Sequence, residues 1–112
     1  MFFLLSFFFM SLQIISSQAE SSASIQLIGT VDTKTAPELL DILTKLDLKS
    51  LSSLKIDMNQ MTFMSSAGLR ALLFAKQKMD QNSILTVTGA CEGVVDTIKK
   101  TGLSQAIVIS ED

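Results

Sequence analysis

The chain has 112 residues, 47% of them apolar, which is enough for one domain with a single core. Nine basic and eleven acidic residues leave a net charge of -2 with no basic run, so a nucleic-acid-binding stripe is excluded. No histidine is present, which removes Ser-His-Asp triads and histidine metal sites, and one cysteine, Cys91, permits neither an internal disulfide nor a cysteine zinc site.

Met1 to Phe9 is an apolar run broken by Ser6. It lacks the basic start of a signal peptide, although Ser17-Gln18-Ala19 would serve as a cleavage site, and even extended to Ile15 it is too short to cross a bilayer as a helix. Met10-Ser-Leu-Gln-Ile-Ile15 reads as a first strand. The domain is therefore expected to span residues 10–112, with residues 1–9 an apolar extension outside the fold. A membrane contact would come only through that extension.

Ser24 to Thr30 is a second strand, joined to the first by a short polar link that suggests an antiparallel hairpin. Asp32-Thr-Lys-Thr-Ala-Pro37 feeds a helix for which Thr35 is the candidate cap and Pro37 suits the first turn. Leu39, Ile42, Leu43 and Leu46 supply that helix's apolar stripe. Leu54, Ile56 and Met58 alternate with Lys55, Asp57 and Asn59 in a third strand, followed by a tight loop and a helix over 66–80 whose stripe is Leu69, Leu72 and Leu73. Ile84 to Thr88 is a β-branched strand. A third helix covers about 92–101, stopped by Gly102, and Ala106 to Ile109 is a last strand. Cys91 reads as a small core residue, since Val94, Val95 and Ile98 continue its apolar stripe.

The order β, β, α, β, α, β, α, β predicts an α/β fold: a mixed sheet with an antiparallel N-terminal hairpin and then parallel strands, packed with α-helices. Sites in such sheets lie at the carboxyl ends of the strands, here the loops after Thr30, Met58 and Thr88.

Ser65 and Ser66 stand at the start of the 66–80 helix. One of them caps it, and a hydroxyl there also suits a regulatory phosphate, which would face the free N–H groups of the first turn. Asp32 and Asp57 read as a loop cap and a polar strand end; a catalytic or magnesium site would need more acidic convergence. The glycines match neither a P-loop nor a dinucleotide fingerprint, so no cofactor is implied. Arg70, Phe74 and Lys78 recur at i, i+4, i+8 on an outer face of the helix, an aromatic flanked by cations that suits protein binding as well as it suits a solvated face.

Gly29-Thr-Val-Asp32-Thr-Lys-Thr-Ala-Pro-Glu-Leu39, Ile56-Asp57-Met-Asn59 and Thr62-Phe-Met-Ser-Ser-Ala-Gly-Leu69 together resemble the STAS domain of bacterial anti-sigma factor antagonists, and Thr101-Gly-Leu103 resembles the end of that family's last helix. The resemblance implies a mixed sheet covered by helices and a non-enzymatic, cytoplasmic partner-switching role. The partner would be an anti-sigma factor with serine-kinase activity, and a serine phosphatase would reverse the phosphorylation. The family's acceptor serine falls on Ser66, with Ser65 the competing acceptor. Ser65 replaces the family's preceding Asp, and Ala67 replaces its following Ser. Asp32, Thr33, Asp57, Asn59, Ser65, Ser66, Gly68, Arg70 and Phe74 are the residues expected to face the partner. The alternative is a STAS-like accessory subunit of a membrane transport complex that is not phosphorylated.

Overall fold

The computed structural model describes the backbone of residues 3–9, 11–102 and 105–110, with side chains from residue 11 onward. Met10, the expected start of the domain, and Leu103 lie outside these residues. Six strands form one sheet in the order of the chain: β1 (Phe3–Phe9), β2 (Leu12–Gln18), β3 (Ser22–Val31), β4 (Ser53–Met64), β5 (Ile84–Thr88) and β6 (Val108–Ser110). The helices are α1 (Ala36–Thr44), α2 (Ser66–Lys78) and α3 (Glu92–Lys100), with a 3-10 turn at Leu48–Ser50.

β1, β2 and β3 pair antiparallel, and β3 through β6 run parallel. The expected mixed sheet is thus present, with one strand more than expected. Residues 3–9 are not outside the fold: they pair with β2 from Phe3 opposite Gln18 to Phe9 opposite Leu12. A Phe-rich run with no charge has high strand propensity, and without it β2 would present an unpaired edge.

From β3 to β6 each strand is added on the same side of its predecessor, and every link is a helical crossover. Right-handed crossovers of that kind place all three helices on one face of the sheet. The burial pattern agrees. Leu12, Ile14, Ile25, Leu27, Leu54, Ile56, Leu85 and Val87 are buried in one cluster with Leu39 and Leu43 of α1, Leu72 of α2 and Ile98 of α3. Their strand neighbours Ser24, Gln26, Lys55 and Asp57 face the other way and are half-buried or exposed.

β4 does not end at Met58 in a loop, as the alternation of 54–58 suggested, but runs on to Met64. Its register against β3 slips twice: Gln26 pairs with Asp57 but Ile28 with Gln60, and Gly29 pairs with Met61 but Thr30 with Phe63. Each slip inserts one extra residue in β4. The buried positions accordingly change from every second residue (54, 56, 58) to every third (58, 61, 64), so that Met58, Met61 and Met64 all reach the core. A period-two template cannot see a strand of that kind. The hydroxyl of Thr62 secures the second bulge, donating to the Gly29 carbonyl at 3.1 Å beside the Thr30 hydroxyl at 3.0 Å.

Candidate functional site

The bulged end of β4 delivers the chain directly into α2. The Ser65 N–H donates to the Val31 carbonyl at 2.7 Å, tying the start of α2 to the end of β3. Ser65 is the N-cap, with extended backbone (φ −80°, ψ 170°); its carbonyl accepts from Gly68 N–H at 3.0 Å and its hydroxyl from the same N–H at 3.4 Å. Ser66 is the first helical residue and its side chain is exposed, whereas Ser65 is half-buried. No acidic residue stands in the first turn of α2, so the positive end of the helix dipole there has no carboxylate of its own helix beside it. Gly68 is buried, and a Cβ on it would come within 2.8 Å of both the Val31 and Met64 side chains, which is why the helix can sit this close to the two strand ends.

The loop from β3 to α1 lies against this helix start through the Val31–Ser65 bond. Asp32 organises it. Its Oδ1 accepts from the Lys34 N–H at 2.8 Å and the Thr35 N–H at 2.9 Å, with the Thr35 hydroxyl at 3.2 Å. The backbone bond from Thr35 comes first among the causes that hold the Asp32 carboxyl below its ordinary value of 3.8, outweighing the partial burial that pushes it up. Thr35 is the residue before α1, but its hydroxyl caps nothing in the helix. It is buried and turned back, accepting from the Asp32 N–H at 2.9 Å and donating to the Thr30 carbonyl at 3.0 Å. The expected Thr35 cap is thus replaced by an Asp32–Thr35 exchange that closes the loop. Thr33 is exposed at its tip.

α1 packs on α2, and this shifts the buried arc of α2 from the expected stripe. Gly68, Leu69, Ala71, Leu72 and Ala75 are buried, while Leu73 is only half-buried. The small side chains at 71 and 75 let the helices approach. Arg70 and Lys78 are exposed, as their spacing suggested, but Phe74 is not a fully outward aromatic: it is half-buried in the groove between α1 and α2, with Lys78 Nζ 5.5 Å from its ring centroid.

Asp57 and Asn59 stand apart from this group. Asn59 is six residues before Ser65 on β4, a span of up to about 20 Å for an extended strand. Asp57 Oδ1 accepts from both the backbone N–H (2.9 Å) and the side-chain amide (2.8 Å) of Asn59 across the first bulge. Gly89, with φ +68°, fits beneath the Asn59 amide, which a Cβ would strike. The structure therefore brings Asp32, Thr33, Ser65, Ser66, Gly68 and Arg70 into one neighbourhood with Phe74 a turn further along, and it keeps Asp57 and Asn59 near the start of α3. Cys91 is exposed and precedes α3 as its N-cap instead of joining the core, because the buried stripe of α3 is Val94 and Ile98 alone. Sequence reasoning missed the α1 side of the groove, Pro37 and Leu40; the signal for it was their apolar character off the Leu39-Ile42-Leu43 stripe. Among the described residues no helix is long and apolar enough to cross a membrane.

The model of the STAS domain family matches residues 14–112. No curated protein matches the sequence. Among solved structures, an anti-sigma factor antagonist from Mycobacterium paratuberculosis superposes with a TM-score of 0.75 at 20% identity, covering 100% of this chain and 87% of that one. The anti-sigma factor antagonist SpoIIAA in its unphosphorylated form gives 0.66 at 10% identity over 97% of this chain and 88% of its own. The Bacillus cell fate determinant SpoIIAA in its phosphorylated form also gives 0.66 at 10% identity, over 97% and 92%. These likenesses concern the fold, and the family match agrees with them: the chain belongs to the STAS domain family.

Proposed function

We propose that this protein is an anti-sigma factor antagonist: it docks on an anti-sigma factor with serine-kinase activity, frees the sigma factor held there, and is switched off by phosphorylation of Ser66 and restored by a serine phosphatase. The observation that carries the reading is the division of labour between the two serines. Ser65 is half-buried and its hydroxyl is engaged as the cap, whereas Ser66 is exposed on the first helical position of a STAS domain. Solved structures of similar fold include an antagonist captured in a phosphorylated form.

The chemistry asked of this chain is binding, not catalysis. A phosphate on Ser66 adds nearly two negative charges beside the N-terminus of α2, where the helix dipole and first-turn N–H groups favour it. The modified protein therefore stays folded. The same charge faces any docked partner and sits in the neighbourhood of the Asp32 carboxylate, so it acts on the complex by repulsion and by bulk. Asp32 and Thr33, in the loop tied to the start of α2, and Arg70 on its first exposed turn complete the docking face.

Incubation with ATP and the anti-sigma factor kinases of the same genome, followed by intact-mass and phosphosite analysis, tests the reading. One added phosphate in the wild type, absent in Ser66→Ala and retained in Ser65→Ala, is expected. Ser66→Asp should weaken binding to the anti-sigma factor kinase by at least about tenfold, equivalent to about 1.4 kcal/mol. Absence of phosphate with every such kinase would remove the switch and bring forward the transport-complex subunit.

A further inference from the structure

The groove between α1 and α2 is longer than the phosphorylation site it starts from. One hollow of about 270 Å³ begins at Thr33 and Ala67, next to Ser66, and is floored by Ala36, Pro37, Leu40 and Ala71. A second, of about 290 Å³, continues along the helices between Thr44, Leu46 and Leu48. Phe74 lines both, so the two form one apolar trough with an aromatic at its middle.

Its charge is one-sided. Arg70 lines the first hollow and Lys49 and Lys78 the second, and no carboxylate lines either, on a chain whose net charge is -2. The acids of α1 turn away from it. Residues 36, 37, 40 and 44 line the trough, and helical spacing puts Glu38 on the opposite side of α1. Asp41 stands at the flank, paired with Lys45 at 3.1 Å.

We infer that this trough receives an amphipathic helix of the anti-sigma factor, with its apolar stripe over Phe74 and Leu40 and its acidic flanks against Arg70, Lys49 and Lys78. The inference rests on the antagonist reading above and names the partner element that it leaves open. Helix-in-groove recognition uses an apolar groove that takes the anchors of one helix face, and complementary charge at the rim adds specificity; the trough supplies an apolar floor and a cationic rim. A peptide with basic flanks would meet like charge along the rim, so the trough also selects against it. One end of the docked helix would lie over Ala67, one residue from Ser66. Phosphorylation would then place its negative charge beside the acidic flank and expel the helix.

The test uses the full chain and each purified anti-sigma factor kinase of the same genome, with binding measured by titration in low and high salt. Arg70→Glu combined with Lys78→Glu should weaken binding at least tenfold in low salt and remove most of the salt dependence shown by the wild type. Both residues are exposed, and an unchanged thermal unfolding curve controls for folding. Hydrogen exchange should show residues 36–44 and 70–78 protected in the complex. Lysine in place of the acidic residues on the partner helix that becomes protected should restore binding of the double variant. If the wild type binds and Ser66→Asp weakens it, but the double variant binds as the wild type does, the trough proposal is overturned and the antagonist reading stands. If the wild type binds none of these kinases, both fall.

Discussion

Gly68 sits where the ends of β3 and β4 meet the first turn of α2, and the space for a side chain is already filled by Val31 and Met64. Met64 is flexible and could yield, but Val31 is fully buried and β-branched, so it has little room to move. Gly68→Ala should therefore cost about 1–3 kcal/mol despite the better helix propensity of alanine, read as a lower midpoint in thermal or urea unfolding. An unchanged midpoint would mean that α2 can lift off the strand ends. Asp32 bears on pH. Its carboxyl is held below 3.8 by hydrogen bonds present only in the folded loop, so its contribution is complete above that value and is lost as pH falls through the lower, folded value. Unfolding measured from pH 7 down to pH 2 should lose stability more steeply in the wild type than in Asp32→Asn, which keeps an acceptor at Oδ1 but cannot titrate. Parallel curves would assign the acid sensitivity elsewhere.

Helix α2 separates the roles of its two serines by position. Ser65→Ala removes the cap acceptor and should destabilise the protein by about 0.5–1 kcal/mol, toward the low end for caps because the bond to Gly68 N–H is long at 3.4 Å. Ser66→Ala removes an exposed hydroxyl from the first helical position and should leave the unfolding midpoint almost unchanged. The pair thus splits stability from the phosphorylation proposed at Ser66, and a larger loss in Ser66→Ala than in Ser65→Ala would reverse the assignment. α1 and α2 are legible in the sequence because apolar residues at i, i+3, i+4 mark a helix even where, as in α2, the packing partner shifts which of them are buried. The strands at 54–58 and 84–88 are legible for the matching reason, an alternation of faces, and the hairpin of β2 and β3 through the short polar link between them. β4 beyond Met58 was not, since two bulges turn the buried spacing from two to three, and the bulges are fixed by pairing with β3, which no local pattern records. Phe74 lies deeper than its spacing suggests, because the sequence of α2 does not show that α1 lies alongside it. Thr35 holds the cap position that the sequence indicates, but its hydroxyl is taken by the Asp32 N–H and the Thr30 carbonyl behind it.

The sheet as a whole has a covered face, an open face and two edges, and the edges are unlike. β6 is three residues long, a poor template for further pairing, whereas β1 is seven residues long and uncharged. Beneath β1 lies β2, whose sequence Leu12-Gln-Ile-Ile-Ser-Ser-Gln18 also carries no charge and no proline. β2 pairs on both sides, with β1 and with β3, and is thus an inner strand of the sheet. With residues 1–9 removed, the backbone groups of β2 that pair with β1 are left open on an uncharged edge. The shortened chain should lose hydrogen-exchange protection at the β1-facing amides of residues 12–18. The amides of β4 and β5, two or more strands away, should keep their protection, because the core beneath the helices remains closed. If β2 instead exchanges as slowly as before, β1 contributes nothing to the protection of the sheet.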